Sequence, residues 1–401
     1  MAAELTVSDK QSIRDAVQGM HSSRTRWLAA PAFDTLFFQV PLILGFVYFG
    51  MMLALKVPAN RVWVFLPLLL LAYAHQAPTF FFYLDRKNLS YYAGHATKYF
   101  IVPILLLGSA VGLSLWNDPG FFFVFFVMAS WQVWHTIRQN IGIATLYHRR
   151  NPQAEMGTIR KDRLLIYGAS ILFCGLAGAR IYSAESLAAT HSINVFLDGQ
   201  GMLLNWLAVG IAGGCLIGYG AWIFAAGRFG GSYSYQNFIF LATSVATFAP
   251  LLYIPARPTP DEILLVQNMC LVAHYLQYLG LTWMLQRNKY SLGMPGRDPD
   301  PAIRTPLLSL LARNAAYLAL GILLYGGVMT LIRATAANVP PEMEKSLLTR
   351  GSYGLLYGVA WVHFYLDGLF WTFRNPHVRE TVAPFLAHVP GRYTVLAGRG
   401  A

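Results

Sequence analysis

The chain has 401 residues, of which 56% are apolar and only 12% charged. A soluble domain carries about 25% charged residues, so a water-facing globular exterior is excluded. The net charge of +12 would suggest a nucleic-acid partner in a soluble protein. Here the basic residues stand between apolar spans and read as topology signals, so no nucleic-acid partner is expected.

The N-terminus lacks an apolar run followed by a small-residue cleavage site, so a cleaved signal peptide is not expected. Residues 8–20 read either as a short interfacial helix, capped by Ser8 with Ile13, Val17 and Met20 on one face, or as a disordered tail. Residues 1–32 form the expected N-terminal segment.

A helix crosses the hydrocarbon core with about 20 apolar residues. Ten candidate spans follow: 33–55, 62–84, 99–116, 120–147, 164–183, 202–226, 235–256, 262–286, 306–332 and 350–373. The expected fold is therefore an all-α polytopic transmembrane bundle over 33–373, followed by a short basic tail over 374–401. Ten crossings starting from a cytoplasmic N-terminus put 21 of the 30 Lys and Arg on the cytoplasmic side and seven on the other, with Arg138 and Arg313 inside spans. That is the positive-inside bias, and it places both termini in the cytoplasm and the chain in the inner membrane. Cys174, Cys215 and Cys270 all lie in apolar spans, so no disulfide framework is indicated. Gly213-Gly214 reads as a site of close helix packing. Pro78 and Pro250 are the plausible breaks within spans.

Four of the ten histidines lie deep in spans: His75, His135, His274 and His363. They occupy spans 2, 4, 8 and 10, which all run in the same direction. Each precedes a basic cytoplasmic end by 11 to 14 residues, which at about 1.5 Å per residue is roughly 16–21 Å. Four imidazoles thus share one depth and converge if their helices are neighbours. The segments end alike, in Asp85-Arg-Lys-Asn88, His148-Arg-Arg-Asn151, Gln286-Arg-Asn288 and Phe373-Arg-Asn375. This reads as a degenerate repeat or as generic helix stops.

A polar layer accompanies the histidines one turn closer to the cytoplasm. It contains Thr79, Arg138, Gln139, Gln277 and Asp367, with Gln132 and other amides nearby. Residues three or four apart share a helix face, so each should point where its histidine points. Charges inside a membrane helix face a partner or a cavity. Asp367 and Arg138 are therefore expected to pair, or to divide the roles of metal ligand and anion binder.

A lone histidine in a span is usually a packing residue. Four at one depth beside a carboxylate instead suggest a metal held by His75, His135, His274 and His363, with Thr79, Gln132, Gln139 and Gln277 around them. Mixed imidazole and carboxylate donors suit iron, with copper or zinc as alternatives. An open metal position in a lipid-accessible cavity suggests O2 chemistry on a hydrophobic or amphipathic substrate. The competing readings are a transporter or proton-coupled channel and a haem-binding electron carrier. Histidines at a single depth allow at most one bis-histidine haem.

The strings Trp134-His135-Thr-Ile-Arg138-Gln139 and His363-Phe-Tyr-Leu-Asp367 resemble those of uncharacterised bacterial multi-span proteins. His363-Phe364-x-x-Asp367 is also similar to a His-Phe-x-x-Asp string of the bacterial membrane β-carotene-cleaving dioxygenases. That likeness covers five residues. It implies iron held by intramembrane histidines and oxygenation of a lipid-like substrate.

Overall fold

The computed structural model describes residues 27–41, 43, 45–47, 50, 70–151, 155–185, 191–229, 232–253, 260–292, 307, 315–337 and 347–386. Among these the chain is helical, with one isolated bridge (Phe229 to Tyr233) and no named strand. The helices are α1 (Pro31–Asp34), α2 (Ala77–Phe81), α3 (Arg86–Ala93), α4 (Val102–Trp116), α5 (Asp118–Arg150), α6 (Met156–Glu185), α7 (His191–Ala225), α8 (Tyr235–Ala246), α9 (Pro260–Gln286), α10 (Ala315–Ala337), α11 (Leu347–Phe370), α12 (Pro376–Thr381) and α13 (Ala383–Leu386). The expected interfacial helix at 8–20, residues 51–55 at the end of the first expected span and residues 62–69 at the start of the second lie outside the described residues.

Among the described residues, six helical segments are long and apolar enough to cross a membrane: Thr97–Trp116, Asp118–Arg150, Met156–Ala179, Gly201–Ala225, Tyr235–Leu252 and Ala316–Arg333. α9 and α11 have the length but are not among them. Their polar residues, including His274, Gln277, His363 and Asp367, lower the hydropathy. The protein is turned outward in the manner of a membrane protein: Ile104, Phe122, Leu164, Ile217 and Leu324 are exposed, while His75, Thr79, His363 and Asp367 are buried.

Local sequence sets the helix boundaries. Asn117 accepts a hydrogen bond from the Gly120 amide, and Pro119 occupies the first turn, which together start α5. Asp85 caps α3 through the Asn88 amide, Ser234 caps α8 through that of Asn237, and Asn375 caps α12 through that of His377. Asn88 is thus inside a helix, Asn151 ends one and Asn375 starts one. These unlike roles fit neither a repeat nor a common helix stop. The expected span 235–256 is broken: α8 ends at Ala246, and a 3-10 turn, Ala249–Tyr253, carries Pro250. α6 starts well before the expected residue 164, and its first turns bury Asp162.

α5 is the hub, packing against α4, α6, α8, α9 and α11. Its 33 residues span about 50 Å, well beyond a ~30 Å core. The projecting end is tied down. Tyr147 donates to Asp34 Oδ2 at 3.0 Å, and Arg150 donates to the carbonyls of Leu28 and Leu386. At the same end Lys289 Nζ lies 2.6 Å from Asp85 Oδ2, and Tyr290 donates to that oxygen at 2.7 Å. Burial draws the Lys289 ammonium below its ordinary value, with the Asp85 carboxylate opposing it. Residues 28–34 and 376–386 therefore sit at one end of the bundle. Residues 376–386 are docked, since α12 and α13 bury Val378 and Leu386 in the core.

The closest helix pair is α4 with α11. A Cβ on Gly354 would stand 2.9 Å from Ser114 Cβ, and one on Gly358 would stand 2.8 Å from Leu107 Cδ1 and 3.1 Å from Ala110 Cβ. This small-xxx-small face lets the two backbones approach. Gly213 and Gly214 do not pack as expected: a Cβ on either would meet nothing within 4 Å. Gly358→Leu is expected to destabilise the protein by about 1–3 kcal/mol through overpacking. Gly213→Leu should leave the thermal midpoint in detergent unchanged, and a scan of both variants checks the contrast.

Candidate metal centre

The four deep histidines converge. His75 follows the helical residues 70–74 in a turn at 75–76, just ahead of α2. Pro78 brings no amide hydrogen to the helical ladder, and the chain tightens locally, with the Gln76 amide bonding to the Tyr73 carbonyl at 3.0 Å. His135 comes from α5, His274 from α9 and His363 from α11. Ring centroids stand 5.0 Å apart for His75–His274, 4.9 Å for His75–His363, 4.9 Å for His135–His274 and 5.2 Å for His135–His363. The imidazoles form a closed quadrilateral.

That spacing suits one shared ion. With a metal–nitrogen bond near 2.1 Å, an imidazole centre lies about 3.2 Å from its metal, so ligands at 90° to 109° put ring centres about 4.6–5.3 Å apart. One ligand atom each from His75, His274 and His363 lies within 4.8 Å of the others, as does one each from His135, His363 and Asp367. Asp367 Oδ2 is 3.6 Å from His135 Nε2 and 3.9 Å from His363 Nε2.

The hydrogen-bond inventory points the same way. Both ring nitrogens of His75 and His274, Nε2 of His135 and of His363, and Asp367 Oδ2 are buried with no hydrogen-bond partner. Buried polar atoms are almost always satisfied, so such a concentration marks a place where these atoms serve something else. The buried His and Asp groups can hold a metal ion.

Thr79 organises one side. Its Oγ1 is 2.7 Å from His363 Nδ1 and 2.6 Å from the Tyr278 hydroxyl, and it donates to Asp367 Oδ1 at 2.8 Å. Tyr278 also donates to Asp367 Oδ1 at 2.7 Å. With the Thr79 hydrogen spent on the carboxylate, Thr79 Oγ1 accepts from His363 Nδ1–H. This fixes the tautomer that leaves His363 Nε2 a lone pair. Asp367 likewise has Oδ1 engaged and Oδ2 free.

The predicted amides lie further out. Gln139 donates to the His274 carbonyl at 3.0 Å and to Gln277 Oε1 at 3.3 Å, and Gln277 reaches the Phe38 carbonyl at 3.5 Å. Gln132 donates to the Tyr275 hydroxyl at 3.2 Å, and the Tyr275 ring lies 4.5 Å from that of His75. These side chains hold α5, α9 and the N-terminal segment in register.

The expected pairing of Arg138 with Asp367 is not formed. Arg138 is exposed, Asp367 is buried, and no ion pair joins them among the described residues. At about 100° per residue, Arg138 lies about 60° to one side of His135 and Gln139 about 40° to the other. α5 buries the arc holding Thr136 and Asn140, so Gln139 turns inward and Arg138 outward. Sequence reasoning missed Tyr275 and Tyr278. The available signal was Tyr278 at four residues from His274, the spacing that relates Thr79 to His75 and Asp367 to His363.

Compared with protein-family models, curated proteins and solved structures, the chain matches none. Inference about function therefore rests on the site alone. His274→Ala is expected to abolish stoichiometric metal in the purified protein. Thr79→Val should keep the fold but weaken metal binding about 10- to 100-fold. Elemental analysis with far-UV circular dichroism on both variants reads the two outcomes separately.

Proposed function

We propose that this protein is an integral membrane oxygenase of the cytoplasmic membrane, using a mononuclear non-haem iron and O2 to oxygenate a hydrophobic or amphipathic substrate. The observation that carries the reading is the meeting of two donor sets that share His363, His75–His274–His363 and His135–His363–Asp367, each with unpartnered donor atoms, inside an apolar helical shell. His75, His135, His274 and His363 would hold the ion, and Asp367 Oδ2 would be a fifth donor. Mixed nitrogen and oxygen donors favour iron over the alternatives copper and zinc. The likeness of His363-Phe-x-x-Asp367 to the string of the carotene-cleaving dioxygenases supports the same chemistry.

When bound, iron would supply the activation of O2. The chain's own contribution is to hold the donors, keep the His363 Nδ1 proton on Thr79 and exclude bulk water. Trp131 and Phe364 pack beside His135 and His363 and supply part of that apolar wall.

The ring spacing argues against a haem carrier, because a porphyrin seated between two of the imidazoles would need the space the other two fill. A transporter needs access from two sides, whereas His75, His274, His363 and Asp367 are closed off. We further propose ten crossings with both termini cytoplasmic, a reading supported by residues 28–34 and 376–386 sharing one end of the bundle.

The purified protein is expected to contain stoichiometric iron and to consume O2 only with an apolar substrate present; stoichiometric zinc, or no metal, would overturn the reading. In a cysteine-free background, Glu155→Cys should react with an impermeant thiol reagent only from the cytoplasmic side. Asp118→Cys should react only from the opposite side.

A further inference from the structure

The five donor groups are not equally enclosed. His75, His274, His363 and Asp367 are at most 2% exposed, whereas the His135 side chain is 10% exposed. Part of the His135 ring therefore reaches the exterior, at the edge of the buried arc of α5, while its Nε2 stays buried. Beside it runs an exposed stripe with one residue per turn: Ser130, Trp134, Arg138 and Gly142.

Two cations stand on this stretch of the α5–α6 seam. Trp134 stacks on Tyr167 of α6 with ring centroids 5.8 Å apart, and further along Arg163 of α6 donates to Thr145 Oγ1 at 3.3 Å. Arg138 lies between these two contacts. Both arginines are exposed, and neither has a carboxylate within 4.0 Å among the described residues. Between them Gly142 leaves open space, since a Cβ there would meet nothing within 4 Å. An outward-facing arginine on an apolar helix is unfavourable in hydrocarbon unless an anion or the headgroup layer receives it. Exposed aromatic pairs such as Trp134–Tyr167 favour that same boundary.

We infer that the seam beside His135 is a lateral binding site for an anionic amphiphile, whose carboxylate or phosphate head is held by Arg138 and Arg163 while its hydrocarbon chain passes Trp134 and Trp131 to the centre. Arginine suits this task because its guanidinium presents paired donors to a planar or tetrahedral oxyanion. The one partly open ligand lies one helical turn from the unpaired guanidinium. This assignment rests on the proposed oxygenase reading and adds the substrate class: a single-headed lipid anion drawn from the bilayer.

The test uses the full chain in nanodiscs of zwitterionic lipid. The probes are doxyl-labelled stearic acid and its methyl ester, which share a chain and differ in charge. Quenching is read at alkaline pH, where the acid is ionised, and Trp131→Phe and Trp134→Phe separate the two indoles from the other tryptophans. The acid is expected to quench both indoles with at least fivefold higher apparent affinity than the ester. Arg138→Gln should erase that preference, and Arg138→Lys should restore part of it. Arg86→Gln, which removes an exposed cation on α3, should retain it. Equal quenching by acid and ester, a preference that survives Arg138→Gln, or quenching of Trp134 without Trp131 would overturn the inference. Metal content measured on the same samples separates the two proposals: charge-dependent quenching without metal sinks the oxygenase and keeps the lipid site. Iron with no preference for the acid does the reverse.

Discussion

Desolvation of donor atoms is the constraint on which the rest of this structure depends. Seven side-chain atoms of His75, His135, His274, His363 and Asp367 are buried without hydrogen-bond partners. An unsatisfied buried polar atom costs about 1–3 kcal/mol, so the group together costs on the order of 10 kcal/mol. That is comparable with the whole stability of an ordinary domain. Nothing in the packing requires the expense, because leucine or phenylalanine at these positions would fill the same space without it. A bound ion offsets it by converting lone pairs into bonds. One nitrogen each on His75 and His274 then still lacks a partner, and these rings lie against aromatic neighbours, with Tyr275 at 4.5 Å from His75. The cluster is thus a place where folding is made less favourable so that ligation can be made more so.

The scaffold around the cluster is built to keep that arrangement from relaxing. α11 brings both His363 and Asp367, and it is held against α4 by Gly354 and Gly358, where added methyl groups would collide. α5 and α9, which bring His135 and His274, are bridged by Gln139 to the His274 carbonyl. The Pro78 segment, which brings His75 and Thr79, is tied to α11 through Thr79 and Asp367. Each donor-bearing element is locked to at least one other by a contact one or two turns from its donor. The ring positions follow from backbone packing and do not rely on long flexible side chains. Pre-organisation of this kind is what a metal site needs if it is to keep a defined open position.

Much of this was legible in the sequence, for reasons that also explain what was not. Membrane character follows from composition, and the shared depth of the four histidines follows from counting back to basic helix ends. Helical spacing then placed Thr79 and Asp367 beside their histidines, since residues four apart share a face. The same rule applied to His274 gives Tyr278, which was passed over because a tyrosine in an apolar span reads as packing. The pairing of Arg138 with Asp367 failed for a related reason. Three residues from His135 is close enough to share a face loosely, yet the buried arc of α5 is centred beyond Gln139, on the far side of His135 from Arg138. Rotation of a helix about its own axis is set by its neighbours, and a single sequence does not contain them. The open faces of Gly213 and Gly214, and the docking of α12 and α13, depend on neighbours in the same way.

The hydrogen-bond geometry also constrains the charge state of the centre. Thr79 has one hydrogen and Tyr278 has one, and both are directed at Asp367 Oδ1. The carbonyl oxygen of a carboxylic acid could accept both, but the acid would carry a hydrogen on Oδ2, where the His135 and His363 nitrogens stand 3.6 and 3.9 Å away, beyond hydrogen-bond range. The arrangement is therefore complementary to the carboxylate. An isolated carboxylate is not tolerated in an apolar interior unless a positive charge compensates it. Arg138 faces away, and the described salt bridges place no other cation beside Asp367 apart from the histidines themselves. Protonating the imidazoles would supply that charge, but only by consuming the lone pairs and crowding like charges within 5 Å. A divalent cation among the four rings supplies it while leaving the imidazoles neutral and Asp367 ionised.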